Sequence, residues 1–272
     1  MKTISISLFN RPDYTKEVLD ALEKCTGVEE YKIFIKCEKL SHPKVEETIK
    51  VAQEFNHNNK SVIINERRLG CSLNIWSCLD TAFSETDTDF HIHFEDDTVP
   101  SRDCLKYFEW ANKYFTNHKN VGAIAAYSRM VSCIAFQKIQ KEKLQEQIEY
   151  FKNLVRTISW FIPWGWGLHR NVWQHVLKDE LLKRIKQPRY DSWDRHVRYI
   201  LQENELLMAL PVLSRSQNIG ALNGVHCPGP TFHKKEQWTP LFVEDLSIYQ
   251  EEFHKIEEKD FQEYIKNLTL DN

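Results

Sequence analysis

The sequence predicts an α/β protein in which a mostly parallel β-sheet is flanked by helices. Short apolar runs typical of buried strands alternate with segments of helical periodicity from Thr3 to Ser128. The helical segments are long enough to connect parallel strands, and each right-handed crossover covers one face of the sheet. Charged or polar residues follow four of these strands, as expected where ligands bind at the carboxyl ends of a parallel sheet.

The first half of the chain follows this alternation element by element. After the first strand, Pro12 marks a turn, and Val18, Leu19 and Leu22 then recur at helical spacing. The predicted strands are residues 3–9, 31–38, 61–66, 89–97 and 121–128. The predicted helices between them are residues 14–25, 42–55, 72–83 and 102–115.

The alternation stops beyond Ser128. Residues 136–156 are charged and helical in pattern, and we expect either a solvated surface helix or a lid over the end of the sheet. Residues 158–185 contain four of the eight tryptophans, and residues 206–220 resemble a strand. The tail from Glu236 onward is acidic, aromatic and helical in pattern.

The composition is that of a soluble globular protein, with 42% hydrophobic and 28% charged residues among 272. A formal net charge of -3 argues against a nucleic-acid partner, because phosphate backbones are bound by basic surfaces. No run approaches the roughly 20 consecutive apolar residues of a transmembrane helix, and the first apolar run is too short for a signal peptide. Seven scattered cysteines without a Cys-x-x-Cys pair indicate reduced thiols. We therefore expect a cytoplasmic protein with no transmembrane segment.

Four predicted strands deliver polar or charged residues to what would be one edge of the sheet. Because the carboxyl ends of parallel strands meet at the same edge, these side chains should lie close together. They are Asn10 and Arg11 after the first strand, Glu38 after the second, Glu66, Arg67 and Arg68 after the third, and Glu95, Asp96 and Asp97 after the fourth.

The acidic triplet, defined as Glu95, Asp96 and Asp97, places three like charges side by side. Adjacent carboxylates at the end of a buried strand are costly unless a cation or hydrogen-bond donors compensate them. Mg²⁺ and Mn²⁺ suit hard oxygen ligands, and typically take one or two protein carboxylates together with water and phosphate oxygens. Alternatively, the triplet caps the helix that follows. Its position beside the other polar strand ends favours a metal site for Mn²⁺ or Mg²⁺.

Four segments, taken in order, resemble a known family. They are FEDDTVPSRDCLKYFEWA (94–111), PWGWGLHRNVW (163–173), YDSWDRHVR (190–198) and PVLSRSQNIG (211–220). Together they are similar to motifs of the inverting GT-A fold glycosyltransferases, in particular the N-acetylglucosaminyltransferase I and protein O-mannose N-acetylglucosaminyltransferase group.

This resemblance implies a GT-A fold, in which a Rossmann-like sheet is followed by a C-terminal elaboration on the acceptor side. A single domain over residues 1–272 is the simplest division, because no internal repeat or flexible linker interrupts the chain. Residues 1–128 would form the nucleotide-sugar-binding half and residues 129–272 the acceptor-side half.

The resemblance also implies a reaction. A hexosyl or N-acetylhexosaminyl group would pass from a nucleotide sugar, most simply a UDP-sugar, to a hydroxyl of a glycan, lipid or protein. In the family, an aspartate removes the proton of the acceptor hydroxyl. That role falls on Asp191, with Asp194 as the local rival. Family members with an aspartate at the next position would place it at Ser192, which cannot act as a base.

On the donor side, the resemblance implies that Asp97 binds the metal and that Asp96 binds the ribose or a metal-bound water. Glu95 would support these two residues from beside them. Asn10 and Arg11 resemble the loop that holds the nucleotide after the first strand.

Three further positions are expected to reach the donor. Glu38 stands where the family has an acidic residue that reads the imide of the base, Arg67 would approach phosphate or base, and Ser214 would meet the diphosphate. Arg68 could take the place of Arg67. Arg215 is either a second diphosphate contact or part of a structural salt bridge.

On the acceptor side, Trp164, Gly165 and Trp166 are candidates for substrate binding. Aromatic faces stack on sugar rings, and glycine lets a ligand approach the backbone closely. Because the two tryptophans alternate, one can pack in the core while the other faces the cleft, and Trp166 is favoured for the cleft.

Two pairs of histidines are considered as metal ligands. His91 and His93 alternate with apolar residues and so share one face of their strand, where structural histidines with hydrogen-bond partners are expected. His226 and His233 lie in a later turn-rich segment, and His226 is a candidate for an additional metal ligand.

Two other functions compete with a glycosyltransferase. A nucleotidyltransferase acting on sugar phosphates would share the parallel sheet and the acidic site, but "SLFNRPDYT" lacks the glycine-rich phosphate loop that such enzymes usually carry. A non-catalytic carbohydrate-binding protein with a degenerate transferase fold is the second alternative. The presence of both "EDD" and "DSWDR" argues against such decay.

Overall fold

The computed structural model describes residues 1–128, 148–187, 192–221 and 253–270 of the chain. Nine strands form one sheet, and their order is β11 (His254–Lys255), β7 (Leu154–Ile158), β9 (Leu207–Pro211), β6 (Val121–Ala125), β8 (Trp166–His169), β4 (Phe90–Glu95), β1 (Lys2–Leu8), β2 (Tyr31–Cys37) and β3 (Lys60–Ile64). A two-stranded sheet pairs β10 (Ser216–Asn218) with β5 (Thr98–Pro100). Five of the eight strand pairs in the large sheet are parallel. The predicted α/β class with a mostly parallel sheet is therefore confirmed.

The first half of the chain alternates strands and helices as predicted. Pro12 and Pro43 occupy the first turns of the first two helices, where a missing N–H costs nothing, and His42 Nδ1 accepts from the Lys44 N–H at 3.2 Å. A 3₁₀ turn at Val28–Glu30 precedes the second strand. The elements are β1 (Lys2–Leu8), α1 (Pro12–Glu23), β2 (Tyr31–Cys37), α2 (Pro43–Glu54), β3 (Lys60–Ile64), α3 (Cys71–Glu85) and β4 (Phe90–Glu95).

The predicted strand over residues 89–97 ends earlier than expected. β4 stops at Glu95, Asp96 and Asp97 form a turn, and a short strand β5 (Thr98–Pro100) leaves the large sheet to pair with β10. Helix α4 (Cys104–Phe115) and strand β6 (Val121–Ala125) follow, as predicted.

The described part of the second half completes the sheet. A π-helical segment at Trp173–Leu177 joins two short helices. The elements are α5 (Ile148–Phe151), β7 (Leu154–Ile158), β8 (Trp166–His169), α6 (Arg170–Val172), α7 (Lys178–Ile185), α8 (Trp193–Glu203), β9 (Leu207–Pro211), β10 (Ser216–Asn218), β11 (His254–Lys255) and α9 (Glu258–Leu270).

The predicted helix over residues 136–156 is wrong at its C-terminal end. Leu154–Ile158 form strand β7, which pairs antiparallel with β9 and carries β11 on its other side. Tertiary pairing overrides the local helical pattern here, since Val155, Thr157 and Ile158 are β-branched residues that fit a sheet. Residues 136–147 lie outside the described part of the chain.

Two buried apolar clusters cover the two faces of the sheet. Alternate residues of β6 enter different clusters, with Ile124 in one and Ala123 and Ala125 in the other. Helices α1, α2, α4 and α9 contribute to the first cluster, and α3, α7 and α8 to the second. Helices therefore flank both faces, and the carboxyl ends of β1, β2, β3 and β4 remain together at one edge. Among the described helices, none has the length and apolar character required to cross a membrane.

Candidate functional site

The acidic triplet lies where the fourth strand leaves the sheet. β4 pairs in parallel with β1, with Ser7 opposite Glu95. Asp96 and Asp97, in the turn that follows, are only 4% and 8% exposed. Arg11 directly precedes α1, a few residues beyond the end of β1. The parallel register therefore brings Arg11 and the triplet to the same edge.

Arg11 is an internal counter-ion of the triplet. Its Nη1 donates to Asp97 Oδ2 at 2.7 Å and its Nε to Asp96 Oδ2 at 3.1 Å, while Nη2 donates to Asp96 Oδ1. The guanidinium thus donates two hydrogen bonds to Asp96 and a third to Asp97. Burial alone would lower the pKa of Arg11, but the charges of Asp96 and Asp97 raise it above its ordinary value.

One guanidinium does not balance three carboxylates. Burial, followed by the charges of Asp97 and Asp96, raises the pKa of Glu95 well above its ordinary value. Burial also raises the pKa of Asp96 to about 6, against the lowering effect of Arg11. The cluster therefore holds an excess of negative charge that a further cation would relieve.

The chemistry of these side chains suits a hard divalent cation held partly by other ligands. Mg²⁺ and Mn²⁺ prefer carboxylate oxygens and commonly complete their coordination with water and phosphate oxygens. Within the described ranges, no three His, Cys, Asp or Glu side chains converge as a complete metal cage. Asp96 and Asp97 thus fit an ion that shares its coordination sphere with a bound phosphate.

A second polar cluster lies at the carboxyl ends of β2 and β3. Glu38 is 3% exposed; its Oε2 accepts from the Leu69 N–H at 2.7 Å, and its Oε1 is buried with no hydrogen-bond partner among the described residues. Beside it, Asn65 Nδ2 donates to Asn74 Oδ1 at 2.9 Å. A buried carboxylate oxygen without a donor is costly, so Glu38 is poised to accept from an N–H group of a ligand.

Asn10, Arg67 and Arg68 lie at the same edge without touching the acidic triplet. Asn10 is half-buried, and Arg67 is exposed and makes no hydrogen bond or ion pair with described residues. The Arg68 guanidinium lies 5.0 Å from the centre of the Phe9 ring. Their predicted contacts with the donor remain predictions.

Ser214 and Arg215 are fully buried and engaged within the fold. Ser214 Oγ accepts from the Ser128 N–H at 2.7 Å. Arg215 Nε donates to Asp103 Oδ2 at 2.9 Å, and both side chains of this ion pair are 0% exposed. The structure therefore shows the salt-bridge alternative for Arg215, and the contact of Ser214 with a diphosphate stays a prediction.

The expectation that Trp166 faces the cleft is wrong. Its side chain is 0% exposed, stacks on Trp193 with ring centres 6.0 Å apart and meets Phe161 edge-on at 4.9 Å. Trp166 lies on the face of β8 that α8 covers, so burial of the indole takes precedence over ligand contact.

Trp164 and Gly165 remain candidates for the acceptor side. Trp164 is half-buried, with its ring edge-on to Tyr127 at 4.7 Å. Gly165 has a φ of +77°, and an added Cβ would lie 2.9 Å from Phe94 Cε1. Backbone conformation and packing thus already require glycine there, before any ligand is considered.

Of the two candidate bases, only Asp194 lies in the described part of the chain. Asp191 lies outside the described residues, as do His226 and His233. Asp194 is half-buried in the first turn of α8, and its charge contributes to the raised pKa of Glu95. Helix α8 therefore brings Asp194 into electrostatic range of the acidic triplet.

His91 and His93 are structural, as expected. On the shared face of β1 and β4, Thr3 Oγ1 lies 2.8 Å from His91 Nδ1, and Ser5 Oγ lies 2.7 Å from His91 Nε2 and 2.8 Å from His93 Nδ1. Both imidazoles are fully buried; burial lowers the pKa of His93 to about 3 and that of His91 well below its ordinary value. Because hydroxyl groups engage both ring nitrogens of His91 and Nδ1 of His93, these side chains join β1 to β4 rather than face a metal site.

Asn218 was missed by the sequence analysis. Its Nδ2 donates to Asp97 Oδ1 at 2.9 Å, across 121 positions of sequence. An amide in a strand-like segment gives no signal of so distant a partner, and only the pairing of β10 with β5 brings the two together.

Comparison with known proteins finds similar solved structures at low sequence identity. No family model and no curated protein matches the sequence. Among solved structures, the mannosyltransferase PcManGT from Pyrobaculum calidifontis, in complex with GDP-Man and Mn²⁺, is 14% identical with a TM-score of 0.48 over 78% of this chain. S. aureus TarS is 15% identical with a TM-score of 0.47 over 79% of this chain, and TarS 1-349 in complex with UDP-GlcNAc is 16% identical with a TM-score of 0.35 over 46%. The matched part spans 57%, 36% and 34% of those three chains, respectively.

Proposed function

We propose that this chain is a GT-A type inverting glycosyltransferase that uses Mn²⁺ or Mg²⁺ to bind a nucleotide sugar. The donor is a UDP-sugar, and the group transferred to an acceptor hydroxyl is a hexosyl or N-acetylhexosaminyl group. The observation that supports this most is the convergence of three carboxylates and Arg11 at the carboxyl edge of four parallel strands, with Glu38 at the same edge.

Asp97 and Asp96 would hold the cation. When bound, the cation supplies positive charge that offsets the charge developing on the departing diphosphate. With part of their charge taken up by a cation, Asp96 and Asp97 would attract Arg11 less strongly. Arg11 could then turn part of its guanidinium to a phosphate oxygen, for which its planar donors are well suited.

Glu38 is placed to contact the base of the donor nucleotide, which the resemblance implies is uracil. Its buried Oε1 is an acceptor that needs a donor, and an imide N–H supplies one. The neighbouring Asn65 and Asn74 are held by their mutual hydrogen bond and fix the shape of this end of the site.

The transfer itself needs a base on the acceptor side. Asp191, or Asp194 as its rival, takes the proton of the acceptor hydroxyl. The acceptor oxygen then forms a bond to the anomeric carbon, and the bond from that carbon to the diphosphate oxygen breaks. The position of Asp194 on α8, within electrostatic range of Glu95, is compatible with a base that faces the donor site.

The proposal is tested by screening a panel of nucleotide sugars for hydrolysis, with Mn²⁺ and with EDTA. We expect metal-dependent hydrolysis of at least one UDP-sugar, and its loss in Asp97→Asn. Asp191→Asn should retain donor binding and lose transfer by about 10²- to 10⁴-fold, since removal of a general base commonly costs that much. Normal transfer by Asp191→Asn together with loss in Asp194→Asn would move the base to Asp194.

The competing functions predict other results when their own substrates are supplied. Given a nucleoside triphosphate and a sugar phosphate, a nucleotidyltransferase would transfer the nucleoside monophosphate unit to the sugar phosphate, forming a nucleotide sugar and releasing pyrophosphate. A carbohydrate-binding protein would hydrolyse no nucleotide sugar and would be stabilised by free glycan alone. Either result would overturn the proposed function.

A further inference from the structure

We infer that Asn218 positions the carboxylate of Asp97 for the cation, which makes β10 a part of the metal site. This inference rests on the proposed function, because it concerns the same cation. It assigns a role to a residue from the acceptor-side half of the chain, far in sequence from the acidic triplet.

The backbone brings Asn218 to Asp97. β10 pairs antiparallel with β5, with Asn218 opposite Thr98, the residue that follows Asp97. The Ile219 N–H donates to the main-chain oxygen of Asp97 at 2.8 Å. The main chain of Asp97 is therefore fixed by the strand that carries Asn218.

The carboxamide of Asn218 is held in one orientation. Its Nδ2 donates to Asp97 Oδ1 at 2.9 Å, while its Oδ1 accepts from the Gly220 N–H at 2.9 Å. Because a backbone N–H can only donate, it selects the amide oxygen and turns the amide nitrogen toward Asp97. At 6% exposure, Asn218 makes this contact shielded from water.

Each oxygen of Asp97 has a different kind of donor. Arg11 holds Oδ2 and carries a positive charge, so a cation arriving at the triplet competes with it. Asn218 holds Oδ1 and is neutral, so it orients the carboxylate without cancelling the charge that attracts a metal. Hydrogen-bonded partners of this kind commonly fix the orientation of a metal ligand and contribute to metal affinity.

Gly220 closes the other side of the same carboxylate. A Cβ built on Gly220 would lie 2.3 Å from Asp97 Oδ2 and 3.2 Å from Arg11 Nη1. No larger residue could stand there without displacing Asp97. The turn after β10 is therefore shaped around Asp97.

Asn218→Ala tests the inference through metal binding rather than activity. The dissociation constant for Mn²⁺ is measured by electron paramagnetic resonance of the free ion, without donor or acceptor. We expect affinity to fall about 10- to 100-fold, the range usual for loss of a partner that orients a metal ligand.

The matched control is Asn112→Ala. Asn112 Oδ1 also makes a side-chain hydrogen bond, to His169 Nε2 at 2.9 Å, but Asn112 lies beside the end of β8 that is remote from the triplet. The thermal stability of both variants is measured in EDTA. Both should lose some stability, and only Asn218→Ala should lose Mn²⁺ affinity.

Wild-type affinity for Mn²⁺ in Asn218→Ala would overturn the inference while leaving the proposed function intact, provided that Asp97→Asn abolishes binding. If the wild type binds Mn²⁺ only when UDP is present, the same variants are compared with UDP. Absence of Mn²⁺ binding by the wild type both without and with UDP would overturn both. If Asn218→Ala fails to fold, Asn218→Ser keeps a small polar side chain too short to reach Asp97. Its expected loss of Mn²⁺ affinity is the same, and retention of affinity would again overturn the inference.

Discussion

Arg11 faces more negative charge than it can neutralise. It contacts two of the three carboxylates of the triplet, and the pKa of Glu95 is raised by burial and by both aspartates. The Arg11 side chain is 20% exposed, and the acidic triplet that it contacts has more negative charge than Arg11 balances. A divalent cation could therefore replace Arg11 in part as the counter-ion of the triplet.

Replacement of Arg11 by Gln should destabilise the protein in the absence of metal. Breaking a buried ion pair by removing one partner commonly costs about 3 to 5 kcal/mol, and the partial exposure of Arg11 favours the lower end. Because the carboxylates are then uncompensated, Mn²⁺ should raise the melting temperature of Arg11→Gln more than that of the wild type. Thermal unfolding with and without Mn²⁺ measures this, and an equal or smaller rise would contradict the account.

Strand β4 is fixed against β1 by hydrogen bonds between side chains. The hydroxyl groups of Thr3 and Ser5 on β1 bind the imidazole rings of His91 and His93 on β4. Two fully buried histidines that stay neutral make this pairing sensitive to acid. The same register places Ser7 opposite Glu95, so the strands that carry Arg11 and the triplet are aligned by it.

His93→Gln should reduce the acid sensitivity of the fold. The folded-state pKa of His93 is about 3, against about 6.5 for an unperturbed histidine. Between these values the unfolded chain binds a proton that the folded protein does not. The free energy of unfolding therefore falls as the pH falls through this window, by about 1.4 kcal/mol per pH unit for each such histidine.

Urea unfolding of wild type and His93→Gln between about pH 7 and about pH 5 isolates this contribution, because other titrating groups cancel in the difference. The variant should be less stable near neutral pH, where its hydrogen bonds are weaker, and should lose less stability on acidification. Parallel curves for the two proteins would show that His93 is not the titrating group.

Elements with strong local patterns were predictable from the sequence. The first four strands and their helices are marked by the spacing of apolar residues and by Pro12 and Pro43 at helix starts, which are signals within a few residues of sequence. The parallel order of the strands then brings Arg11 to the triplet. The strand β7 was mistaken for a helix because its pairing with β9 is distant in sequence. The contact of Asn218 with Asp97 and the burial of Trp166 were missed for the same reason.

The buried ion pair between Asp103 and Arg215 connects residues of the first half of the chain (1–128) with residues of the second half (129–272). Asp103 precedes α4 and also accepts from Ser101 Oγ, while Arg215 lies between β9 and β10 and donates to the main-chain oxygen of Lys152. The Phe253 ring lies 5.2 Å from the Arg215 guanidinium. The pair thus joins four separate segments behind the candidate site.

Arg215→Met should therefore reduce stability without affecting the donor. The substitution leaves Asp103 buried and unpaired, and such a change commonly costs about 3 to 5 kcal/mol. We expect unfolding at lower urea concentration and an unchanged dissociation constant for UDP in the presence of Mn²⁺. A selective loss of UDP affinity at wild-type stability would instead assign Arg215 to the diphosphate.

The proposed function depends on a divalent cation that is held by the acidic triplet and bridges to a nucleotide diphosphate. Calorimetric titration of UDP into the protein, with Mn²⁺ and with EDTA, tests it most directly. We expect UDP to bind with Mn²⁺ and to bind little or not at all with EDTA, and we expect Asp97→Asn to lose the metal-dependent part of the affinity. Equal affinity for UDP in Mn²⁺ and EDTA, or no binding in either, would contradict it.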